Sequence, residues 1–452
     1  MNTETIYKIL QEEMAGPKSL QDILQIPALK SFKPLEIKEA LSALEKSGKL
    51  IKNRANRYGI PEQMNLFTGR VKKNKKGFGF FVTEDLDTED LFIPPNRLNT
   101  AQNGDRVIVR LMKQGHMPKD GSHKEECEVV RILHRENTTF VGTYTVKPSY
   151  IYVSPDNPTF GQDIIVAPDT HFQAASGDKV LVEITSWGDH RELPEGKVIA
   201  RLGKAGAPGI DVLSLVYRYN LSPSFTQAQL AEAKRIRQTP MDYRLDQRRD
   251  YRYYNHVVTI DGADSKDLDD AVYLDQLDNG HYILGVHIAD VSEYIKEGSI
   301  LDQEAYRRGT SVYFVDRVLP MLPPDISNDI CSLNAGEDRL TLSCIMEINR
   351  KGQVVASDIC ESVINVEKRF TYDTVNGILK DQRFEDPSYV EYFNHMNALS
   401  KQLHQNRVDR GALEFNFPES KVLLDDQGHV TDIVNRERGD AEKMIEEFMI
   451  LA

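Results

Sequence analysis

The stretch VVTIDGADSKDLDDAVYL, residues 257–274, places five aspartates within ten positions: Asp261, Asp264, Asp267, Asp269 and Asp270. Apolar runs flank them, Val257 to Ile260 before and Ala271 to Leu274 after. Short apolar runs of this kind predict strands, with the carboxylates on a loop at their ends. Asn279-Gly280 then supplies a tight-hairpin signal before HYILGVHIADV. Gathered carboxylates repel one another unless cations join them, and hard oxygen ligands suit Mg²⁺ or Mn²⁺. Two such ions ~4 Å apart can clamp the attacking and leaving oxygens of a phosphodiester. An EF-hand fails on spacing, since Ala263 and Ser265 stand where ligands are needed. Spacing alone leaves a solvated acidic turn as the other reading.

Upstream, the chain repeats itself. Phe67-Thr-Gly69 and Phe140-Val-Gly142 are 73 positions apart, and so are Gly104-Asp105-Arg-Val107 and Gly177-Asp178-Lys-Val180. A shared offset predicts two copies of one small β-domain, residues 64–134 and 137–205. Their size and short strands point to closed barrels of the OB type. The first copy carries Lys76-Gly-Phe78-Gly-Phe80-Phe81, with Phe78 and Phe80 on one face of a strand, and Asp90-Leu-Phe92 nearby. Aromatic faces stack on unpaired bases, and Lys72, Lys73, Lys75 and Lys76 can neutralise phosphates. The alternative is that the phenylalanines face the barrel core. The second copy lacks KGFGF, which makes it a weaker surface or a spacer.

Residues 1–62 read as a helical unit with a β-wing. Ile37, Leu41 and Leu44 recur at helical spacing behind Pro34, Ser47-Gly48 ends the helix, and KLIKNRANRYGI forms two short strands around a basic turn. This order is that of a winged helix-turn-helix, which can contact nucleic acid or protein. From about residue 208 the texture becomes a long α/β segment running to 452. The fold class is thus α+β and multidomain.

With 69 acidic against 56 basic residues, the net charge of −13 argues against a nucleic-acid binder only if charge is averaged. Five basic residues and no acidic one lie between Thr68 and Val82, so the basic surface is local. No apolar run is long enough to span a bilayer, and the N-terminus lacks the basic-then-apolar pattern of a secretory signal, so a cytoplasmic protein is expected. Cys127, Cys331, Cys344 and Cys360 show neither CxxC spacing nor companion histidine pairs. They read as buried thiols rather than zinc ligands or disulfides.

DGADSKDLDDAV resembles the catalytic motif of the RNase II/RNase R (RNB) superfamily of 3′–5′ exoribonucleases. The likeness continues through GVHIADVSEYI, RRGTSVYF, PMLPPDISNDICSLN, RGALEF and MIEEFMILA. With the helix-turn-helix and the two cold-shock-like copies it covers essentially the whole chain, and the N-terminal unit favours the ribonuclease R branch. The resemblance implies a magnesium-dependent enzyme (Mn²⁺ being the other candidate) that hydrolyses RNA processively from its 3′ end to nucleoside 5′-monophosphates. Its implied partners are single-stranded 3′ ends, structured RNA and ribosome-associated RNA, and a monomer is expected. It further implies that Asp261, Asp267, Asp269 and Asp270 hold the metal and orient the attacking water, with Asp264 outside the set and Asp269 serving catalysis rather than binding. Tyr313 and Phe415 match the aromatics that sandwich terminal bases. Tyr372 and Glu446 match residues that contact the 3′-terminal nucleotides and favour ribose. Val315 stands where the family usually has proline. The family's catalytic domain continues, beyond a position matching Ala452, with an arginine at the departing phosphate and an S1 domain, so weak hydrolysis is expected of residues 1–452 alone. Two rivals stay open: an RNA-binding protein without nuclease activity, and a DNA-directed regulator led by the N-terminal unit.

Overall fold

The computed structural model describes residues 2–53, 55–83, 90–112, 125–168, 172–189, 192–243, 245–415, 417, 419–436 and 438–452. The chain divides into two compact units, residues 1–221 and 222–452. The first opens with helices Asn2–Glu13, Leu20–Leu24 and Pro34–Lys46 and a hairpin of Ile51–Lys52 with Tyr58–Gly59. Pro34 starts its helix where the missing N–H costs nothing, and Glu36 accepts a hydrogen bond from the Lys33 N–H at 2.9 Å. Ile37, Ala40, Leu41 and Leu44 then face Ile6, Leu10, Ile23 and Leu29 in one small core. This is the winged-helix arrangement; the wing's Arg54 lies outside the described residues.

The repeat becomes two five-stranded barrels. In the first, the sheet order is Leu91–Ile93, Gly79–Thr83, Leu66–Lys73, Arg106–Leu111, Cys127–His134, and a parallel bridge between Phe92 and Glu126 joins the ends. In the second, strands 139–146, 151–155, 164–166, 178–186 and 195–204 close fully, through parallel pairing of Ile165 with Glu195 and Val166 with Gly196. The offset of 73 reaches individual bonds. Asp105 accepts from the Gln102 N–H and from Arg135, and Asp178 accepts from the Ala175 N–H and from Arg201. The Gly104 N–H donates to the Val71 carbonyl, and the Gly177 N–H to the Tyr144 carbonyl. Both aspartates are buried, so each needs these partners to offset the loss of water. Gly69 and Gly142 mark the same close crossing: a Cβ there would lie 2.3 Å from the Val82 carbonyl oxygen or 2.4 Å from that of Ser154. The helix Ile210–Arg218 packs on strands of the second barrel. The catalytic segment expected from residue 208 therefore starts later, near 222, because residues 208–221 bury their apolar side against the barrel.

The second unit is built on a seven-stranded sheet: β1 Arg249–Asp250, β2 Val258–Asp261, β3 Asp270–Gln276, β4 Tyr282–Ala289, β5 Asp338–Ile348, β6 Val354–Asn365 and β7 Lys368–Thr371. Their order is β1-β6-β5-β4-β3-β2-β7; β1/β6 and β2/β7 are parallel, the rest antiparallel. Two-residue alternation sends Val258, Ile260, Val272, Leu274, Leu284 and Val286 to one face. There they meet helices Tyr372–Asp381, Pro387–Asp409 and Asp440–Leu451. The opposite face carries Val257, Ala271, Ala289 and Ile364 against Ala233, Leu301 and Ile330 of other helices. A sheet covered on both faces by helices holds its strand ends rigidly, and the aspartate segment sits at such an end. Among the described residues no helix is long and apolar enough to cross a membrane.

Candidate active site

Asp261 is the last residue of β2 and Asp270 the first of β3, so the segment between them is a loop closing two neighbouring strands. Leu268, 2% exposed, drops into the core and turns its neighbours Asp267 and Asp269 the other way. No ion pair is made by Asp261, Asp267, Asp269 or Asp270 with any described residue, and the carboxyls feel one another instead. Burial, then the charges of Asp261 and Asp269, push Asp270 up to about 6. Asp269 is exposed as a residue, but its carboxyl is crowded; this, then Asp267 and Asp261, raises its pKa. Asp264 is exposed.

The donor set fits a hard divalent cation in kind: several carboxylate oxygens at one sheet end, mutually repelling and without a basic partner among the described residues. It is not a closed cage, since among the described residues no three acidic, histidine or cysteine side chains converge on a common point. The Tyr313 hydroxyl donates to Asp267 Oδ2 at 2.9 Å, so the aromatic expected to clamp a base stands at the acidic mouth, 65% exposed as a residue. Crowding of that hydroxyl, followed by the bond to Asp267, pushes it up to about 12.

The other expected contact residues are less uniformly placed. Tyr372 begins its helix directly after β7, and its neighbour Thr371 is the register partner of Asp261. Phe415, 70% exposed, stacks on Phe417 with centroids 5.8 Å apart and planes within 2°. Glu446 is held by ion pairs to Arg438 and, at 3.8 Å, Arg407. Next to it Glu447, buried, takes Arg407 and His404, and His404 also reaches Glu414 at 2.6 Å. This network ties the segment before Phe415 to the last helix, and nothing in the local sequence signals it.

On the first barrel, the core takes Phe81, while Phe78, Phe80 and Phe92 form a half-buried trio with centroids 5.5–5.9 Å apart. The rings face outward, against the core-facing alternative. Register places Lys72, Phe80 and Phe92 in one row across three strands. Lys75 and Lys76 sit exposed at the tip of the Asn74–Gly77 turn. Lys73 departs from the expectation. Its Nζ donates to Gln102 at 2.8 Å and to the Phe160 carbonyl at 3.2 Å, and burial lowers its pKa to about 8. It ties the barrels together rather than facing a phosphate. The second barrel carries an aromatic pair that the sequence reading missed, Tyr150 and Tyr152, with centroids 5.6 Å apart and planes tilted by 30°. Pairing with Thr145 puts Tyr152 where Phe80 pairs with Lys72. The offset here is 72, so a search at 73 passes over it. The row is Thr145–Tyr152–Ile165, without the lysine or the third aromatic.

Comparison with known proteins agrees with this layout. The RNB domain family matches residues 248–452, the cold shock domain family 152–226 and the ribonuclease B OB domain family 69–132. Ribonuclease R of Thermotoga maritima is 40% identical over 92% of this chain and 58% of its own length. Ribonuclease R of Acidithiobacillus ferrooxidans is 36% identical over 89% of this chain and 91% of its own. The chain spans under two thirds of the first of these and nearly all of the second. Among solved structures, Mycoplasma genitalium RNase R in complex with ribose-methylated single-stranded RNA superposes with a TM-score of 0.79 at 26% identity, over 85% of this chain and 60% of that one. Yeast Ssd1, a pseudonuclease, shares the fold at a TM-score of 0.60 and 19% identity, over 85% of this chain and 53% of that one. By its relatives and by the order of its domains, the chain belongs to the ribonuclease R family.

Proposed function

We propose that this protein is a 3′–5′ exoribonuclease that hydrolyses RNA processively to nucleoside 5′-monophosphates with Mg²⁺, or Mn²⁺, as its metal. The observation that carries the reading is the set Asp261, Asp267, Asp269 and Asp270 at one sheet end, without an ion pair among the described residues and with Tyr313 bonded to one of them. Asp261, Asp267, Asp269 and Asp270 would hold the cation, which when bound supplies positive charge at the phosphate and lowers the pKa of a coordinated water. Tyr313 presents an open ring beside that site for the terminal base, and its hydroxyl restrains the Asp267 carboxylate. Phe415 offers a second open ring, and Tyr372 lies one residue past Asp261's register partner. The Phe78, Phe80 and Phe92 rings with Lys72, Lys75 and Lys76 would take single-stranded RNA by stacking and phosphate contact. Substrates would be single-stranded 3′ ends, with structured and ribosome-associated RNA as further targets of a cytoplasmic monomer.

The test is to follow 5′-labelled RNA with the full-length protein, with and without divalent cation. Shortening from the 3′ end that stops in EDTA is the expected result. Cleavage at the same rate in EDTA would overturn the metal role; no cleavage, with RNA still bound, would favour a binding protein built on the same fold.

A further inference from the structure

The aspartate loop has a brace on each side. On the inner side stands Ser332, wholly buried, in the segment after a short helical turn. Its Oγ accepts from the Leu268 N–H at 3.1 Å and donates to the Lys266 carbonyl at 3.1 Å. The Leu333 N–H then donates to the Leu268 carbonyl at 2.9 Å. These bonds hold Lys266–Leu268 as an edge strand would be held, with a hydroxyl standing in for part of the ladder. Arg339 in turn fixes Ser332, its Nε donating to the Ser332 carbonyl at 2.9 Å. On the outer side is Arg369, in β7 opposite Thr259 of β2. Its Nη2 donates to the Ser265 carbonyl at 2.7 Å and lies 3.3 and 3.4 Å from those of Gly262 and Ala263.

We propose that Ser332 and Arg369 are positioning residues of the active site, holding the loop so that Asp261, Asp267, Asp269 and Asp270 stay gathered although they repel. Neither side chain reaches a carboxylate; both act through backbone carbonyls and one N–H. A loop fixed in advance loses less freedom when its carboxylates close on a cation, so the brace acts on metal affinity. This inference rests on the metal-dependent reading above.

The test uses full-length protein and the variants Ser332→Ala, Ser332→Thr, Arg369→Met and Asp269→Asn. Mn²⁺ binding is read by electron paramagnetic resonance and amide exchange by mass spectrometry. Ser332→Ala should lower Mn²⁺ affinity by about 10–100-fold, the range typical for groups that orient metal ligands. It should also speed exchange across residues 262–269 and leave RNA affinity in EDTA unchanged. Ser332→Thr, which keeps the hydroxyl, should restore both. Asp269→Asn separates the two ideas. If it loses Mn²⁺ while Ser332→Ala and Arg369→Met bind as wild type with unchanged exchange, the brace is wrong and the metal reading stands. If Asp269→Asn binds Mn²⁺ like wild type, the metal reading fails, and with it the brace's role at a metal site. Should Ser332→Ala not fold, the exposed Arg369→Met substitution carries the same comparison.

Discussion

The aspartate loop and the Lys72–Phe80–Phe92 row solve opposite problems. In the loop, carboxylates sit at one sheet end with no cationic partner among the described residues, and the carboxyl of Asp270 is driven up to about 6. In the row, half-buried rings support one another at 5.5–5.9 Å, and Lys72, Lys75 and Lys76 stand exposed beside them. The first arrangement is costly without a ligand and suits chemistry; the second is stable without one and suits binding. The acidic cluster and the basic, aromatic row therefore lie in separate units of the chain, and its net charge of −13 describes neither.

Separation of this kind can be broken by substitution. Asp269→Asn should lower cleavage on the order of 10²–10³-fold or more while RNA affinity changes less than about threefold. Single-turnover cleavage beside filter binding reads both, and a matching loss of affinity would merge the two regions into one. Phe80→Ala should do the reverse. One stacking contact is worth about 1–3 kcal/mol, so affinity for single-stranded RNA should fall roughly 5–150-fold with the saturated rate kept. Tyr152→Ala, at the matching place in the second barrel, should cost less, because its row lacks a lysine and a third ring.

The loop's charge also predicts a pH dependence. A carboxyl whose folded pKa of about 6 lies above its unfolded value near 4 binds its proton more tightly in the fold. Its contribution to metal-free stability is therefore present below pH ~4 and lost as pH rises through about 6. Asp270→Asn should remove this slope, making the metal-free protein more stable than wild type at pH 7 by on the order of 1–2 kcal/mol, with the difference fading toward pH 4. Thermal melts in EDTA measure it, and adding Mn²⁺ should restore wild type selectively. A variant less stable at pH 7 would show that Asp270 has a partner in the fold.

The smallest effect separates two lysines on either side of Asn74. Lys75→Met should reduce the slope of log affinity against log salt by about 0.7, one phosphate contact on a single strand. Lys73→Met should leave the slope alone and lower the melting temperature, since Lys73 bonds to Gln102 and the Phe160 carbonyl. A changed slope in Lys73→Met would return that residue to the binding surface.

What the chain's order of residues determined by itself is whatever repeats or alternates locally. An offset of 73 was enough for two barrels, because Asp105 and Asp178 serve the same turn in each. Two-residue alternation was enough to place Phe78 and Phe80 together, and five close aspartates flanked by apolar runs were enough to mark a site. Tertiary structure decided everything that depends on distant residues meeting. It took Lys73 off the row of Lys72, Phe80 and Phe92, moved residues 208–221 onto a barrel, paired Glu446 with Arg438, and set Tyr313 on Asp267 from 46 residues away. Ser332 and Arg369 are 64 and 104 residues from the carbonyl or N–H they hold. The physical reason is that a backbone hydrogen bond or an ion pair needs only the right atom at the right place. A serine or an arginine far along the chain therefore carries no local pattern by which its partner could be read.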